Sequence, residues 1–254
     1  MNKSLIPIVV IAATLLAGCG SGRSKPDGSG TIECTQVRIS PEVSGRIVKL
    51  PVEEGDSVKK GQLLAQLDDT DYELKRDEAT ATAWLAGQDL KRALELFAEK
   101  SITQKQLDDA RTASDLAKTR LAEMEKYLAD CIVNAPMNGV ITLKGAEEGE
   151  VLPAGGFILE LSRIDEVWLS IYIPEPKLST VKLGCRAEVR IDGSKEKFTG
   201  IITFISPEAE FSPKNVQTSD ERAKLVYRVK VTLKNPNGIF KPGMPADAWL
   251  EDGK

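Results

Sequence analysis

Hydrophobic and polar residues alternate along this chain with two different periods, and each period predicts a different kind of element. Residues 72–97 and 107–128 carry apolar or small side chains at alternating spacings of four and three, which is the period of helices that pack together. Residues 167–173, 187–191 and 225–233 carry apolar side chains at every second position, as half-buried strands do. The pattern therefore predicts a pair of helices followed by a domain of strands.

The two helical segments predict an antiparallel hairpin whose arms, at about 27 residues each, would reach roughly 40 Å. Thr70 with Glu73, and Thr103 with Gln106, match the capping box that opens a helix. Each arm has one narrow apolar stripe, which favours a projecting hairpin over one folded back on a globular core. The stripes consist of Tyr72, Arg76, Ala79, Ala83, Ala86, Leu90, Ala93 and Phe97 in the first arm, and of Leu107, Ala110, Ser114, Ala117, Leu121, Met124 and Leu128 in the second.

A repeated motif flanks the predicted hairpin. Residues 39–67 and 132–161 align when the first copy is shifted by 94 positions. The repeat predicts two half-domains built on one plan, with the hairpin inserted between them. The acidic pairs Glu53-Glu54 and Glu147-Glu148 fall at the same turn of each copy, which predicts a structural role rather than an acid–base pair. The coinciding residues are Gly45 and Gly139, Ile47 and Ile141, Glu53 and Glu147, Glu54 and Glu148, Gly55 and Gly149, Gly61 and Gly155, and Leu67 and Leu161.

The N-terminus predicts an export signal. Residues 5–17 form an apolar run that is shorter than the roughly 20 residues needed to span a bilayer. The run ends in Leu16-Ala17-Gly18-Cys19, which resembles the lipobox of bacterial lipoproteins, so Cys19 is expected to become the lipidated first residue. A plain secretory signal with a chance cysteine is the alternative. Residues 19–30 are rich in Gly and Ser and predict a flexible tether.

Composition argues against an enzyme and against binding of nucleic acid. The 254 residues include no histidine, which removes the commonest general base and metal ligand. A net charge of −4 gives no footprint for a phosphate backbone. No cysteine pair has metal-ligand spacing, so neither a metal site nor a cofactor is predicted. After export, Cys34, Cys131 and Cys185 leave two alternatives, which are a disulfide between Cys34 and Cys131 or buried unpaired thiols in strands.

These patterns together predict a mainly β protein with a long α-helical coiled-coil hairpin. About six short strands after the second copy predict a small β-barrel. The expected order along the chain is a lipoprotein signal peptide (1–18), a flexible tether (19–30), a first strand with the first half-domain (31–70), the helical hairpin (71–130), the second half-domain (131–166) and the β-barrel (167–254).

Each copy of the repeat resembles half of a biotinyl/lipoyl domain, which is a flattened sandwich of two equivalent halves. In the carrier proteins of that group, a lysine in the turn between the halves bears the cofactor. Here the hairpin replaces that turn, and no lysine stands at such a turn. A lipoyl-like sandwich split by a hairpin and followed by a barrel, with Lys241-Pro242-Gly243-Met244 near its end, resembles the HlyD-type periplasmic adaptors, or membrane fusion proteins.

The resemblance implies a non-enzymatic adaptor of a tripartite efflux or secretion system. Its implied partners are an inner-membrane transporter, a TolC-like outer-membrane channel and further copies of the chain, with a hexamer as the family's ring. Residues 211–229 are similar to adaptors of ABC-type exporters, which favours that class of transporter. A ligand-binding or carrier lipoprotein of the cell envelope is the alternative function. Gly20 leaves both membranes open for the lipid anchor, with the inner membrane expected.

The resemblance also implies a docking site at the hairpin tip. Channel-binding members carry an Arg, a Leu four residues later and a Ser seven residues after that. This chain has Arg92, Leu96 and Thr103 at that spacing, and Thr103 keeps the hydroxyl while adding a methyl group. In the alternative interpretation, Arg92 is a solvated helix charge and Thr103 is only an N-cap.

Overall fold

The computed structural model describes residues 25–194, 196–211 and 225–251. Cys19 and the signal peptide lie outside these ranges, as do residues 212–224 of the segment that resembles ABC adaptors. The described residues form thirteen strands and three helices. They are β1 (Gly28–Ile39), β2 (Gly45–Lys49), β3 (Ser57–Val58), β4 (Leu63–Leu67), α1 (Thr70–Ala98), α2 (Gln104–Asp130), β5 (Ile132–Asn134), β6 (Gly139–Lys144), β7 (Val151–Leu152), β8 (Leu159–Pro174), α3 (Glu175–Leu178), β9 (Arg186–Ile191), β10 (Phe198–Ile205), β11 (Glu210–Phe211), β12 (Leu225–Lys234) and β13 (Pro245–Leu250).

Six strands close into an antiparallel barrel. The hydrogen-bonded order β8–β12–β10–β9–β13–β1 returns to β8, because β8 pairs with both β1 and β12. Alternate residues of β8 line the barrel core, and Val167, Leu169, Ile171 and Ile173 have no exposed surface. The barrel that the alternating pattern predicted is therefore confirmed, and β11 adds to it only as an edge strand beside β12.

A second core lies between the two sheets of the sandwich. Strands β5, β4, β2 and β7 form one sheet, and β6 and β3 extend the larger sheet through β8 on the other side. Ile47 and Ile141 are each 1% exposed in this core, and Leu67 and Leu161 are fully buried. Positions that the repeat makes equivalent therefore have equivalent burial, as a single plan for both copies predicts.

The two copies of the repeat complete each other's turns. Gly55 of the first copy donates its backbone N–H to the carbonyl of Ile141, and Gly149 of the second copy donates to the carbonyl of Ile47, both at 2.8 Å. Gly55 and Gly149 have φ angles of +92° and +91°, a left-handed conformation that glycine adopts most easily. Because the two bonds are related by the repeat, the sandwich has an approximate two-fold symmetry.

The second glutamate of each acidic pair holds the backbone of the other copy. The carboxylate of Glu54 accepts the backbone N–H of Lys144 at 2.8 Å, and that of Glu148 accepts the backbone N–H of Leu50 at 2.7 Å. The ammonium group of Lys144 contacts the first glutamate of each pair, at 3.0 and 2.8 Å. These bonds confirm that both acidic pairs are structural.

Strands β1 and β8 run through both the barrel and the sandwich. Their pairing shifts register between Cys34 and Thr35, and the expected boundary between residues 166 and 167 falls inside β8. The predicted tether is wrong in its last three residues, because 28–30 open β1. A Cβ atom at Gly30 would lie 1.7 Å from the carbonyl oxygen of Ser170, so glycine is required by the close approach of the two strands.

The three described cysteines are unpaired. Cys34 belongs to the barrel core and Cys131 to the sandwich core, so of the two alternatives the structure does not have the disulfide between them. Burial raises the pKa of the Cys34 thiol and raises the pKa of Cys131 to about 11. The alternative of buried thiols in strands holds for Cys34, whereas Cys131 caps the C-terminus of α2 and Cys185 is only half-buried.

Candidate functional site

The two long helices form a hairpin whose contact face is the predicted seam. Helices α1 and α2 pack on each other, and their buried residues are Ala79, Leu107, Ser114, Ala117 and Met124, all of which were predicted. The other seam positions are half-buried. The helical period therefore located the contact face correctly, and small side chains allow the helices to approach closely.

The hairpin is attached to the sandwich at its base. The hydroxyl of Tyr72 donates to the carbonyl of Ser44 at 2.9 Å, and the rings of Tyr72 and Tyr127 are 6.3 Å apart and pack against the sandwich core. At the same end, α2 packs on β5, the strand that directly follows it. Most of the hairpin therefore extends away from the sheets.

An ionic contact supports the same base. The ammonium group of Lys126 contacts the carboxylates of Glu42 at 2.9 Å and Asp130 at 2.5 Å, and hydrogen bonds to both raise its pKa. Glu42 belongs to the sandwich, so this contact links α2 to it. Sequence reasoning missed these attachments, because neither Ser44 nor Glu42 shares a pattern with the helices.

The start of α1 differs from the prediction. Its N-cap is Asp69, which makes no side-chain cap bond, so the predicted capping box of Thr70 and Glu73 is wrong. The Thr70 hydroxyl donates instead to the carboxylate of Asp68 at 2.7 Å, and this bond holds the pKa of Asp68 below its usual range. The Thr70 hydroxyl thus bonds to Asp68 rather than forming the predicted capping box with the start of α1.

The tip is a short, well-bonded turn between Ala98 and Gln104. Lys100 has a φ angle of +60°; its N–H donates to the carbonyl of Phe97, and the N–H of Ser101 donates to that of Leu96. This is the Schellman arrangement that ends many helices. The predicted capping box of Thr103 and Gln106 is confirmed at the start of α2, so both helix ends at the tip are satisfied.

The predicted tip residues lie in the last turns of α1 and at the first cap of α2. Arg92 and Leu96 are one helical turn apart on the same face, with the Arg92 side chain 63% exposed and Leu96 43% exposed. The Arg92 guanidinium contacts the carboxylate of Asp89, and Thr103 is exposed beside the turn. The fold thus brings Leu96 and Thr103 to the same end of the hairpin, with Arg92 one turn below.

Metal-binding groups and membrane-spanning helices are both absent from the described ranges. No group of three or more Cys, Asp or Glu side chains there is arranged to hold a metal ion. No helix in that part of the chain is long and apolar enough to cross a membrane. The hairpin is the candidate functional feature because it is attached at its base and ends in a turn that satisfies both helix termini.

Comparison with known families gives two matches that together span most of the chain. Residues 35–157 match the RND membrane fusion protein barrel-sandwich hybrid domain, and residues 166–254 match the CusB-like β-barrel domain. A UPF0194 membrane protein of Enterobacter sp. (strain 638) is 30% identical, with 100% of this chain and 99% of the relative covered. One from Yersinia enterocolitica is 29% identical, with 96% and 98% covered.

Solved structures show the same fold at lower identity. A MacA–MexA chimera containing the α-hairpin domain of Pseudomonas aeruginosa MexA has a TM-score of 0.76 at 23% identity, with 89% of this chain and 78% of that chain covered. The membrane fusion protein Spr0693 of Streptococcus pneumoniae has a TM-score of 0.69 at 19% identity, with 89% and 98% covered. With its split sandwich, helical hairpin and barrel, this chain belongs to the membrane fusion protein family, the periplasmic adaptors of efflux systems that act with inner-membrane transporters and outer-membrane channels.

Proposed function

We propose that this chain is a lipid-anchored, non-enzymatic adaptor that links an ABC-type inner-membrane transporter to a TolC-like outer-membrane channel. The observation that carries the proposal is the hairpin, which is attached to the sandwich at its base and ends in a turn with both helix termini satisfied. A rigid arm of 27–29 residues per helix spans about 40 Å. Such an arm presents a fixed surface to a distant partner without any reaction.

The lipid anchor would hold one end of the barrel close to the membrane. Asp27 is fixed to that end, because its N–H donates to the carbonyl of Ala248 at 2.9 Å and its carboxylate contacts Lys177 at 2.7 Å. Asp27 is eight positions after Cys19, and an extended chain of eight steps spans at most about 29 Å. A lipid on Cys19, in the inner membrane, would therefore keep the barrel beside a transporter in the same membrane.

The hairpin tip is the proposed contact with the channel. Leu96 supplies an exposed apolar side chain, Arg92 supplies a charge, and Thr103 supplies a hydroxyl at the cap of α2. One such tip presents a small surface, so several copies in a ring, a hexamer by family resemblance, would supply the affinity through avidity. The ABC class of the transporter rests on the resemblance of residues 211–229 to other adaptors.

A carrier function receives less support from the structure. The swinging-arm carriers need a lysine at the turn that joins the two halves, and here that turn is occupied by the hairpin between β4 and β5. Lys144 of the second half is held by two carboxylates, and its side chain is only 10% exposed. The turn at which such carriers bear their prosthetic group is therefore replaced in this sandwich, and Lys144 is engaged in ion pairs.

Photo-crosslinking in intact cells of the native host tests the proposal. A photoreactive residue replaces Lys100 at the tip, and the matched control replaces Glu125, which is exposed near the base of α2. Capture of an outer-membrane channel from position 100 but not from position 125 would support tip docking. Crosslinks that stay within the chain, or capture from both positions alike, would require the tip assignment to be abandoned.

A further inference from the structure

The middle of the hairpin carries an exposed tryptophan. The Trp84 side chain on α1 is 67% exposed, whereas the other aromatic residues of the hairpin, Tyr72, Phe97 and Tyr127, are half-buried. Single exposed apolar residues are common on protein surfaces. Trp84 differs from such isolated residues because a cleft with the volume of an aromatic ring lies on the same hairpin.

That cleft lies between α1 and α2 near the base and has a volume of about 150 Å³. This volume is about that of one aromatic ring, and the cleft is an open groove with both polar and apolar walls. Ala79, Ala117 and Met124 form its apolar part, and its polar part consists of Lys75, Arg120, Glu78 and Thr82. Thioether sulfur and cations both interact favourably with aromatic rings, so the lining suits an indole better than an aliphatic side chain.

Trp84 cannot fill the cleft of its own chain. At 100° per residue, Trp84 lies about 140° around α1 from Ala79 and about 180° from Lys75. The ring and the cleft are therefore on opposite flanks of one hairpin. Along α1, Trp84 comes two residues after Thr82 of the cleft lining, so the ring and the cleft lie within about one turn of each other. A neighbouring hairpin at the same height would bring the two together.

We infer that Trp84 of one copy inserts its indole ring into the cleft between α1 and α2 of the next copy. This inference rests on the proposed function, since it concerns the assembly of the adaptor. Because the two contacting surfaces are on opposite flanks, the interface is heterologous, and each copy offers one ring and one cleft. Such an interface propagates from copy to copy and closes into a ring when the rotation permits.

Two variants separate the two sides of this interface. Trp84→Ala removes the ring, and Thr82→Trp fills the cleft from its exposed wall. Buried tryptophan is a frequent centre of binding energy, so each variant alone is expected to raise the dissociation constant of the purified mature chain by about tenfold to a hundredfold. A 1:1 mixture retains one intact ring–cleft pair per heterodimer. Sedimentation velocity is therefore expected to show dimers in the mixture at concentrations where each variant alone is monomeric.

The matched control is Leu183→Ala, which removes a side chain that is 64% exposed on the barrel and is expected to leave assembly unchanged. Helix content by circular dichroism checks that both hairpin variants fold. A photoreactive residue at position 84 should crosslink to the peptides containing Ala79 or Arg120 of another copy, as shown by mixing isotopically labelled and unlabelled chains. Wild-type association that both variants leave unchanged, or crosslinks between two copies of position 84, would overturn the inference.

This test can fail without the proposed function failing. If rings form through other residues while position 100 still captures the channel, only the ring–cleft contact is wrong. If position 100 captures no channel, the tip assignment falls whatever the state of assembly. A crosslink from position 84 to lipid or to an unrelated protein would also overturn the inference, because Trp84 would then have a different occupant.

Discussion

The bond between Glu148 and Leu50 provides the sharpest test of how the two copies of the repeat hold each other. In the Glu148→Ala variant, the backbone N–H of Leu50 loses its acceptor at 2.7 Å. Leu50 is only 4% exposed, so water can replace the carboxylate only in part. Leaving an amide of this kind without an acceptor lowers stability by about 1–3 kcal/mol. Because water partly reaches the Leu50 amide, we expect a loss in the lower part of this range, about 1–2 kcal/mol.

Amide hydrogen exchange measures the effect at the affected atom. A loss of 1–2 kcal/mol in local stability corresponds to a roughly 5- to 30-fold faster exchange of the Leu50 amide. The symmetry-related Glu54→Ala variant should accelerate exchange at the Lys144 amide instead, and by less, because that bond is exposed to solvent. Each substitution is thus expected to accelerate amide exchange in the copy of the repeat that does not contain the substituted residue.

Glu147→Ala is the matched control. Its carboxylate is 68% exposed and contacts only the Lys144 ammonium group among the described residues, so neither backbone amide should change by more than about twofold. If Glu148→Ala accelerated both amides equally, or neither, the reciprocal bonding between the copies would not be a source of stability, and the reasoning would be refuted.

Four further predictions concern the tip, the sandwich and the strand pair. Arg92→Glu is expected to abolish channel capture from position 100 while leaving the melting temperature within about 1 °C, because Arg92 is largely exposed; a normal capture yield would show that Arg92 is a solvated charge. Thr103→Ala should destabilise the hairpin by about 1 kcal/mol through loss of the N-cap, whereas Thr103→Ser should be nearly neutral in the same denaturant titration. Burial raises the pKa of Cys131 from 9.0 to about 11, which lowers its thiolate population at pH 8 about a hundredfold, so alkylation of Cys131 should be slow in the folded protein. The free energy of unfolding should also fall as pH rises from about 9 to 11, since the thiol ionises first in the unfolded chain. A free energy that stays constant over this pH range would contradict the assignment. Gly30→Ala should disrupt the pairing of β1 with β8, since its Cβ would overlap the Ser170 carbonyl, and an unchanged melting curve would show that the strands can separate without penalty.

Features set by the local period of the sequence were predicted well. The seam positions of α1 and α2 recur at alternating spacings of four and three residues, which places them on one face of each helix and favours their burial between the two helices. The alternating strands of the barrel follow from the two-residue repeat in the same way. The capping box at Thr103 was also correct, because its hydroxyl has no competing neighbour, whereas Thr70 bonds to Asp68 instead.

Features set by contacts between distant segments were not predicted. Residues 28–30 have the composition of a linker, yet their pairing with β13 and β8 makes them a strand. Cys34 and Cys131 both lie near the starts of the two copies, which left a disulfide between them open, but β1 carries Cys34 into the barrel core. The cleft on the hairpin depends on side chains from two helices, so neither helix alone indicates it. The lipid on Cys19 and the docking role of Arg92, Leu96 and Thr103 remain predictions.

The continuity of β1 and β8 through both β domains has a mechanical consequence. If the N-terminus is held at a membrane and the hairpin tip is held by a partner, tension runs along β1, which is paired with β8 at ten positions. Antiparallel hydrogen bonds lie perpendicular to their strands, so this load shears the pair, and the bonds resist it together rather than opening one after another. A displacement of the barrel is therefore carried to the base of the hairpin as the movement of a stiff two-stranded rod, with the irregular pairing between Cys34 and Thr35 as its one point of bending within that pair.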